Sequence, residues 1–259
     1  MVHMFIFGIG YTASRIADSV RAAGGQVDAT GSAGNIDFAD PDAVHGALAK
    51  ASHVLSSVPP ADDSDPVLDR YGADLAGRHL LYLSSTGVYG DARGAWVDEA
   101  SPTGHGRRSA RAQCDSRWLK AGARVFRLPG IYGPGRSPLD GVREGRAHRI
   151  DLPGQVFSRV HVDDIVRGTI AGLDAPPGAY NLADDLPASH NLVTEEACRL
   201  LGTPPPPLQT MDEAGLSPMA RGFYAENRRV ANGKARRVLG WQPRFPDYRS
   251  GLRALLQAG

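Results

Sequence analysis

Lysine is almost missing from this chain of 259 residues: Lys50, Lys120 and Lys234 stand against 26 arginines. Where a cation is needed, arginine fills the place by default, so an arginine where lysine would be usual carries little information. Cysteine is equally scarce. Cys114 and Cys198 lie far apart and make no CxxC pair, which excludes a disulfide framework and a thiolate zinc site and fits a reducing cytoplasm. No apolar run reaches 18 residues, and the short run Met4 to Gly8 cannot serve as a signal peptide, so neither a membrane span nor a leader is expected. An excess of one charge is also lacking. The net charge is +1 with acidic and basic residues mixed, which argues against nucleic acid or an anionic membrane as partner. There is no GxxxxGK[ST] for a triphosphate, and the eight histidines are scattered without metal-ligand spacing, so no metal is expected.

What is present is a regular alternation. Met4 to Phe7 is a compact apolar run ending in glycine, suited to a strand buried on both faces. Ala13, Ile16, Ala17 and Val20 follow at helical spacing, and Gly24-Gly25 stops that helix. Further strands are read at Gln26 to Thr30, His53 to Val58, His79 to Ser84 and Arg124 to Leu128. Between them Asp40-Pro41 starts one helix, and Ala110, Cys114, Trp118 and Ala121 mark the face of another. This order predicts an α/β fold, a Rossmann doubly wound parallel sheet. Ile131 to Pro153 reads as loop with one short helix, followed by helices around Ile165 to Leu173, Val193 to Leu201, Gly233 to Leu239 and Ser250 to Gln257. The expected division is a cofactor domain over 1–182, with loop 131–154 reaching the substrate side, and a smaller C-terminal substrate lobe over 183–259.

The strongest local motif is Gly8-Ile9-Gly10-Tyr11-Thr12-Ala13, placed directly between the first strand and the first helix. Gly8 permits a tight turn, Gly10 lets the backbone approach a pyrophosphate, and Ala13 keeps helix and strand close. In that context it predicts a dinucleotide, NAD or NADP. Asp28 has the right count for a ribose contact but falls inside the second strand, whose end reads Thr30-Gly31-Ser32 without charge. Asp37-Phe38 in the next loop is the candidate for the adenine side.

Four further segments carry a family pattern. Ser84-Ser85-Thr86-Gly87-Val88-Tyr89-Gly90, Arg127 to Gly135 (RLPGIYGPG), His161-Val162-Asp163-Asp164 and Leu239-Gly240-Trp241-Gln242-Pro243 resemble, in kind and order, the extended short-chain dehydrogenase/reductases, the NAD-dependent epimerase/dehydratase family. The resemblance implies that Ser85 positions the reacting oxygen of the substrate and that Pro129 lies beside the cofactor. It also implies a Tyr-x-x-x-Lys pair, and no such sequence occurs here. With Asp115 in the place of the glutamate that follows the pair, the lysine position falls on Arg111 and the tyrosine position on Arg107. Arg111 can hold ribose hydroxyls. Arg107 cannot act as a phenol does, because guanidinium stays protonated.

Other residues offer proton transfer in its place. His105 is a loop histidine, most simply solvated; Tyr89 and Tyr132 mainly shape loops, and Tyr224 faces either substrate or packing. Arg136, Arg143, Arg146 and Arg149 form a basic loop that either binds an anion or is ion-paired on the surface. Two functions therefore stand side by side. One is an NAD(P)-dependent oxidoreductase, epimerase or dehydratase acting on a sugar nucleotide or small carbonyl or hydroxyl compound, with a non-standard proton-transfer group. The other is a non-catalytic NAD(P)-binding regulatory module. The expected partners are a small-molecule substrate and, at most, a second copy of the chain in a homodimer.

Overall fold

The computed structural model describes residues 1–107 and 109–258, so Gly259, the end of the expected C-terminal lobe, lies outside the described residues. In chain order the elements are β1 (His3–Phe7), α1 (Tyr11–Ala22), β2 (Gln26–Ala29), α2 (Pro41–Leu48), β3 (His53–Ser56), α3 (Pro66–Tyr71), β4 (His79–Ser85), β5 (Trp96–Val97), α4 (Ser109–Lys120), β6 (Arg124–Leu128) and β7 (Gly130–Tyr132). They continue with α5 (Pro138–Arg143), β8 (Arg149–Ile150), β9 (Arg159–His161), α6 (Val162–Ala171), β10 (Gly178–Asn181), α7 (His190–Leu201), β11 (Leu208–Gln209), α8 (Pro218–Tyr224), β12 (Arg229–Val230), α9 (Gly233–Leu239) and α10 (Tyr248–Ala258).

Six strands form one parallel sheet in the order β10-β6-β4-β3-β1-β2. Successive side chains of a strand point to opposite faces, and here both faces are apolar. Met4, Ile6, Leu81, Leu83, Phe126 and Leu128 pack with α1, α6 and α9 on one side. Phe5, Phe7, Leu80, Tyr82 and Val125 pack with α2, α3 and α4 on the other. This is the doubly wound arrangement. The chain leaves β1 toward β2 and resumes at β3 on the other flank of β1, so a crevice opens at the carboxyl ends of β1 and β3.

The C-terminal elements divide between two places. α5, α7 and α10 share a separate core of Leu139, Ala188, Val193, Ala197, Tyr248 and Leu252. β12 instead pairs with β5, and Ala235 and Trp241 join the core beneath α1 and α6. The LGWQP segment docks on α6 for a specific reason. The buried Asp164 carboxylate accepts from the backbone N–H groups of Arg244 and Phe245, at 2.6 and 3.0 Å, and Trp241 Nε1 donates to the Asp164 carbonyl at 3.0 Å.

α3 and α8 have no counterpart in the periodicity of the sequence. Each has only six or seven residues and starts at a proline after a capping Asp65 or Ser217. The stretch 131–153, read as loop with one short helix, contains α5, and also the end of β7 and the short β8. No helix among the described residues is long and apolar enough to cross a membrane.

Candidate functional site

The glycine turn sits at the carboxyl end of β1, where the crevice opens. Gly8 has φ +81, and a Cβ there would lie 3.0 Å from Val58 Cγ2, so only glycine fits. Gly10 differs: a Cβ would meet nothing within 4 Å, because this position faces the open cleft. Gly10 is the N-cap of α1 and makes no side-chain cap, so among the described residues no capping side chain accepts from the first turn of this twelve-residue helix. Such a helix end suits the two negative charges of a pyrophosphate. The Tyr11 ring lies between the guanidinium groups of Arg15 and Arg136, 4.0 and 4.3 Å from its centroid, and its hydroxyl donates to the Pro134 carbonyl at 3.0 Å. Gly133 allows that approach, since a Cβ there would come within 2.8 Å of the Tyr11 oxygen.

β4 ends on two serines that the strand period sends in opposite directions. Ser84 is buried and donates to the Asp115 carboxylate at 2.7 Å. Ser85 faces the cleft; its Oγ accepts from Gly87 N–H at 3.1 Å, and among the described residues nothing accepts its proton. Behind the cleft, Asp115 makes a two-pronged pair with Arg127, at 2.7 and 3.0 Å. Arg127 also donates to the Tyr89 hydroxyl at 3.0 Å, and that hydroxyl donates to Asn181 Oδ1 at 2.8 Å. Burial holds the Tyr89 phenol above its ordinary range despite the adjacent arginine. Tyr89 is thus a buried strut and does not line the cleft.

The cleft has a volume of about 830 Å³. One side of it is lined by Gly10, Tyr11, Thr12 and Ala13, with Ser85, Arg111 and Pro129 nearby. Arg111 spends one N–H on the Tyr82 hydroxyl at 2.7 Å, which anchors the guanidinium at the cleft wall. Arg107 lines the cleft, with its guanidinium 5.0 Å from the Phe223 ring centroid and its backbone N–H donating to Glu226 at 3.1 Å. Arg107 thereby ties the segment before α4 to the α8 region.

Several anticipated residues do not line the cleft. Gly8 lies under the turn and does not itself line the cleft. Asp37 is exposed and caps a turn by accepting from Ala39 N–H, while Phe38 packs edge-on against Phe7 and Tyr71. Asp28 is tied to His3 and Asn35 within the sheet edge, at 3.0 and 2.7 Å. His105 is exposed and does not line the cleft. Of the basic loop only Arg136 reaches it. Arg143, Arg146 and Arg149 pair with Asp140, Glu144 and Glu195.

Of the opposite wall the sequence pointed to Tyr224 alone, as facing either substrate or packing. His148, His190, Phe157 and Tyr224 line it, from four separate segments. His148 Nε2 lies 3.3 Å from the Tyr224 hydroxyl, and the two imidazoles have centroids 4.9 Å apart. Phe157 meets the Tyr224 ring edge-on at 5.4 Å and holds its orientation. Burial keeps the Tyr224 phenol above its usual range, against the pull of Arg159, so it is a protonated donor. Burial, with the charges of His148 and Arg159, pushes the His190 imidazole down to about 4.

No family model matches the chain. A 3-diazoavenalumate denitrifying reductase from a Streptomyces species is 35% identical over 140 residues, 49% of this chain and 45% of that protein. Protein YeeZ of Escherichia coli K12 is 28% identical over 179 residues, 65% of this chain and 59% of that protein. The matches thus span about half the length of these curated relatives. Among solved structures, human epimerase family protein SDR39U1 with NADPH superposes with a TM-score of 0.77 at 16% identity, covering 99% of each chain. A UDP-glucose 4-epimerase from Thermus thermophilus, in complex with NAD, gives 0.75 at 19%, covering 99% of this chain and 98% of that one. A functionally unknown conserved protein from Silicibacter pomeroyi gives 0.88 at 37% identity, covering 100% of this chain and 99% of that one. The chain belongs to one family with the Silicibacter pomeroyi protein, built on the fold of the extended short-chain dehydrogenase/reductases and NAD-dependent epimerase/dehydratases.

Proposed function

We propose that this protein binds NAD or NADP in the cleft and reduces or oxidises a small carbonyl or hydroxyl compound there, with the Tyr224–His148 pair moving the proton. The observation that carries the reading is the convergence of the uncapped α1 N-terminus, Ser85 and Tyr224 on one cleft. Gly10 without a Cβ and the open N–H groups of α1 fit a pyrophosphate, and Arg111 and Pro129 fit the ribose and the face of the nicotinamide. Solved neighbours bound to NADPH or NAD support the cofactor class, and the name of the Streptomyces relative supports a reductase over an epimerase.

When bound, the cofactor supplies or accepts a hydride at its nicotinamide ring. The chain's own residues do the rest. Ser85 has its O–H proton to give to a carbonyl oxygen, which orients and polarises it. Tyr224, protonated through burial, delivers a proton to that oxygen, and His148 at 3.3 Å replaces it from solvent. Arg107 stays charged and holds the substrate side together.

The test has two steps. NADH and NADPH are titrated by calorimetry, and turnover is then screened with small carbonyl compounds and with sugar nucleotides. Tyr224→Phe should lower kcat by about 10²–10⁴-fold and leave cofactor affinity unchanged. A variant with wild-type kcat would remove Tyr224 from the chemistry. Arg107 at the tyrosine position favours a second reading, a regulatory NAD(P)-binding module. Tight cofactor binding with no turnover across the screen would establish that reading instead.

A further inference from the structure

The sheet brings two histidines together at the end remote from the cleft, although nothing in their sequence spacing pairs them. His53 opens β3 and His79 opens β4, and the two are register partners in the parallel pairing. Their rings stack with centroids 4.6 Å apart and planes 18° from parallel. Asp174, in the turn between α6 and β10, brings Oδ1 to 3.4 Å from His53 Nε2 and to 3.5 Å from His79 Nδ1. Arg124 secures that turn by donating its Nε to the neighbouring Ala175 carbonyl.

Both of these ring nitrogens are buried, and among the described residues neither has a well-formed hydrogen bond beyond the long approaches to Asp174; His53 as a residue is only 5% exposed. Buried polar atoms left in this way call for an explanation, and an ion is one of the recognised ones. At 3.4 and 3.5 Å the contacts to Asp174 are longer than the usual N–H···O bond of about 2.7–3.2 Å. They match another geometry. Two ligands on a tetrahedral ion with bonds of about 2.0–2.1 Å lie about 3.3–3.4 Å apart.

The other nitrogen of His53 agrees. Nδ1 lies 2.9 Å from Ser52 Oγ, and that hydroxyl donates its proton to the His3 carbonyl at 3.2 Å. In the tautomer with the proton on Nδ1, Ser52 Oγ accepts it and Nε2 presents its lone pair toward Asp174. In that tautomer a cation between Nε2 and Asp174 replaces a lone-pair repulsion with two bonds. A hydrogen bond from the second ring nitrogen is also the support that metal-bound imidazoles have.

We propose that His53, His79 and Asp174 form a binding site for a divalent transition-metal ion of the zinc type, with water in the fourth position. Imidazole ligands select such ions over magnesium and calcium, which take oxygen ligands. The three ligand atoms lie within 4.8 Å of one another, and the half-exposed His79 ring can close the remaining gap by a small side-chain rotation. Asp174, with 76% of its side chain exposed, gives the ion a path from solvent. The bound ion ties β3, β4 and the turn after α6, independently of the dinucleotide cleft.

The test uses the full chain, stripped with a chelator and titrated with zinc chloride by calorimetry. Wild type should take up one zinc, and cobalt(II) in its place should give the visible bands of a tetrahedral nitrogen–oxygen site. His79→Gln and Asp174→Ala should each weaken zinc at least about tenfold and abolish those bands. Should His79→Gln fail to fold, Asp174→Ala, at an exposed side chain, decides the matter. Wild type that takes up no zinc, or variants that bind it as tightly as wild type, would overturn the proposal.

Discussion

The two walls of the cleft are built by different means. The wall proposed for the cofactor is mostly backbone: a glycine turn, the end of a helix and the ends of β4 and β6, each set by the parallel sheet. The substrate wall is mostly side chains, carried by the β8 and β9 region, α7 and α8, which share no sheet. A backbone wall changes only when the fold changes. A wall of side chains can be exchanged residue by residue, and here Arg107 occupies the place implied for a tyrosine while Tyr224 and His148 meet from elsewhere in the chain.

If the cofactor wall is rigid because of what lies behind it, removing that support should have the largest effect. Asp115→Ala leaves Arg127 buried without its carboxylate and Ser84 without its acceptor. A loss of about 3–5 kcal/mol in denaturant unfolding is expected. A loss below about 1 kcal/mol would mean that the network is not the support described.

The contrast also explains what could be read from the sequence. β1, the glycine turn and α1 announce themselves because adjacent residues impose apolar runs, glycine spacing and helical period together. Ser85 was legible through its local motif. Asp115 and Arg127 were each placed by motif, but their pairing depends on α4 lying over β6, which no local pattern encodes. His148 and His190 were harder still, and Tyr224 was legible only as facing either substrate or packing. They are 34 to 76 residues apart by their numbers, each is half-buried, and none belongs to a period. Gly251 was silent for a similar reason: it is small because the Tyr132 hydroxyl would lie 2.1 Å from a Cβ there.

The substrate wall should also respond to pH. The folded protein holds His190 near 4, whereas the unfolded imidazole titrates near 6.5. The folded state therefore binds fewer protons, so this stability is complete above pH 6.5 and is lost as pH falls toward 4. The loss is on the order of 1–2 kcal/mol, because part of the ring remains accessible to water. His190→Asn should flatten the curve of unfolding free energy against pH in that window; an unchanged slope would show that His190 is not its source.

The smallest effect is expected at Arg107. Arg107→Ala should leave kcat within about threefold of wild type, since a permanently charged guanidinium transfers no proton. Complete loss of turnover, with cofactor and substrate still bound, would make Arg107 catalytic and blur the division between the two walls.

The central claim, that the backbone wall is a dinucleotide site, has a direct measurement: calorimetric titration of wild type and Gly10→Asp with NADPH and NADH, with thermal unfolding of both proteins in parallel. A Cβ at Gly10 meets nothing within 4 Å among the described residues, so the variant should unfold close to wild type. It places bulk and negative charge where a pyrophosphate would lie, so affinity should fall by at least about 100-fold, roughly 2.7 kcal/mol. A folded variant that binds as tightly as wild type, or a wild type that binds neither cofactor, would contradict the account.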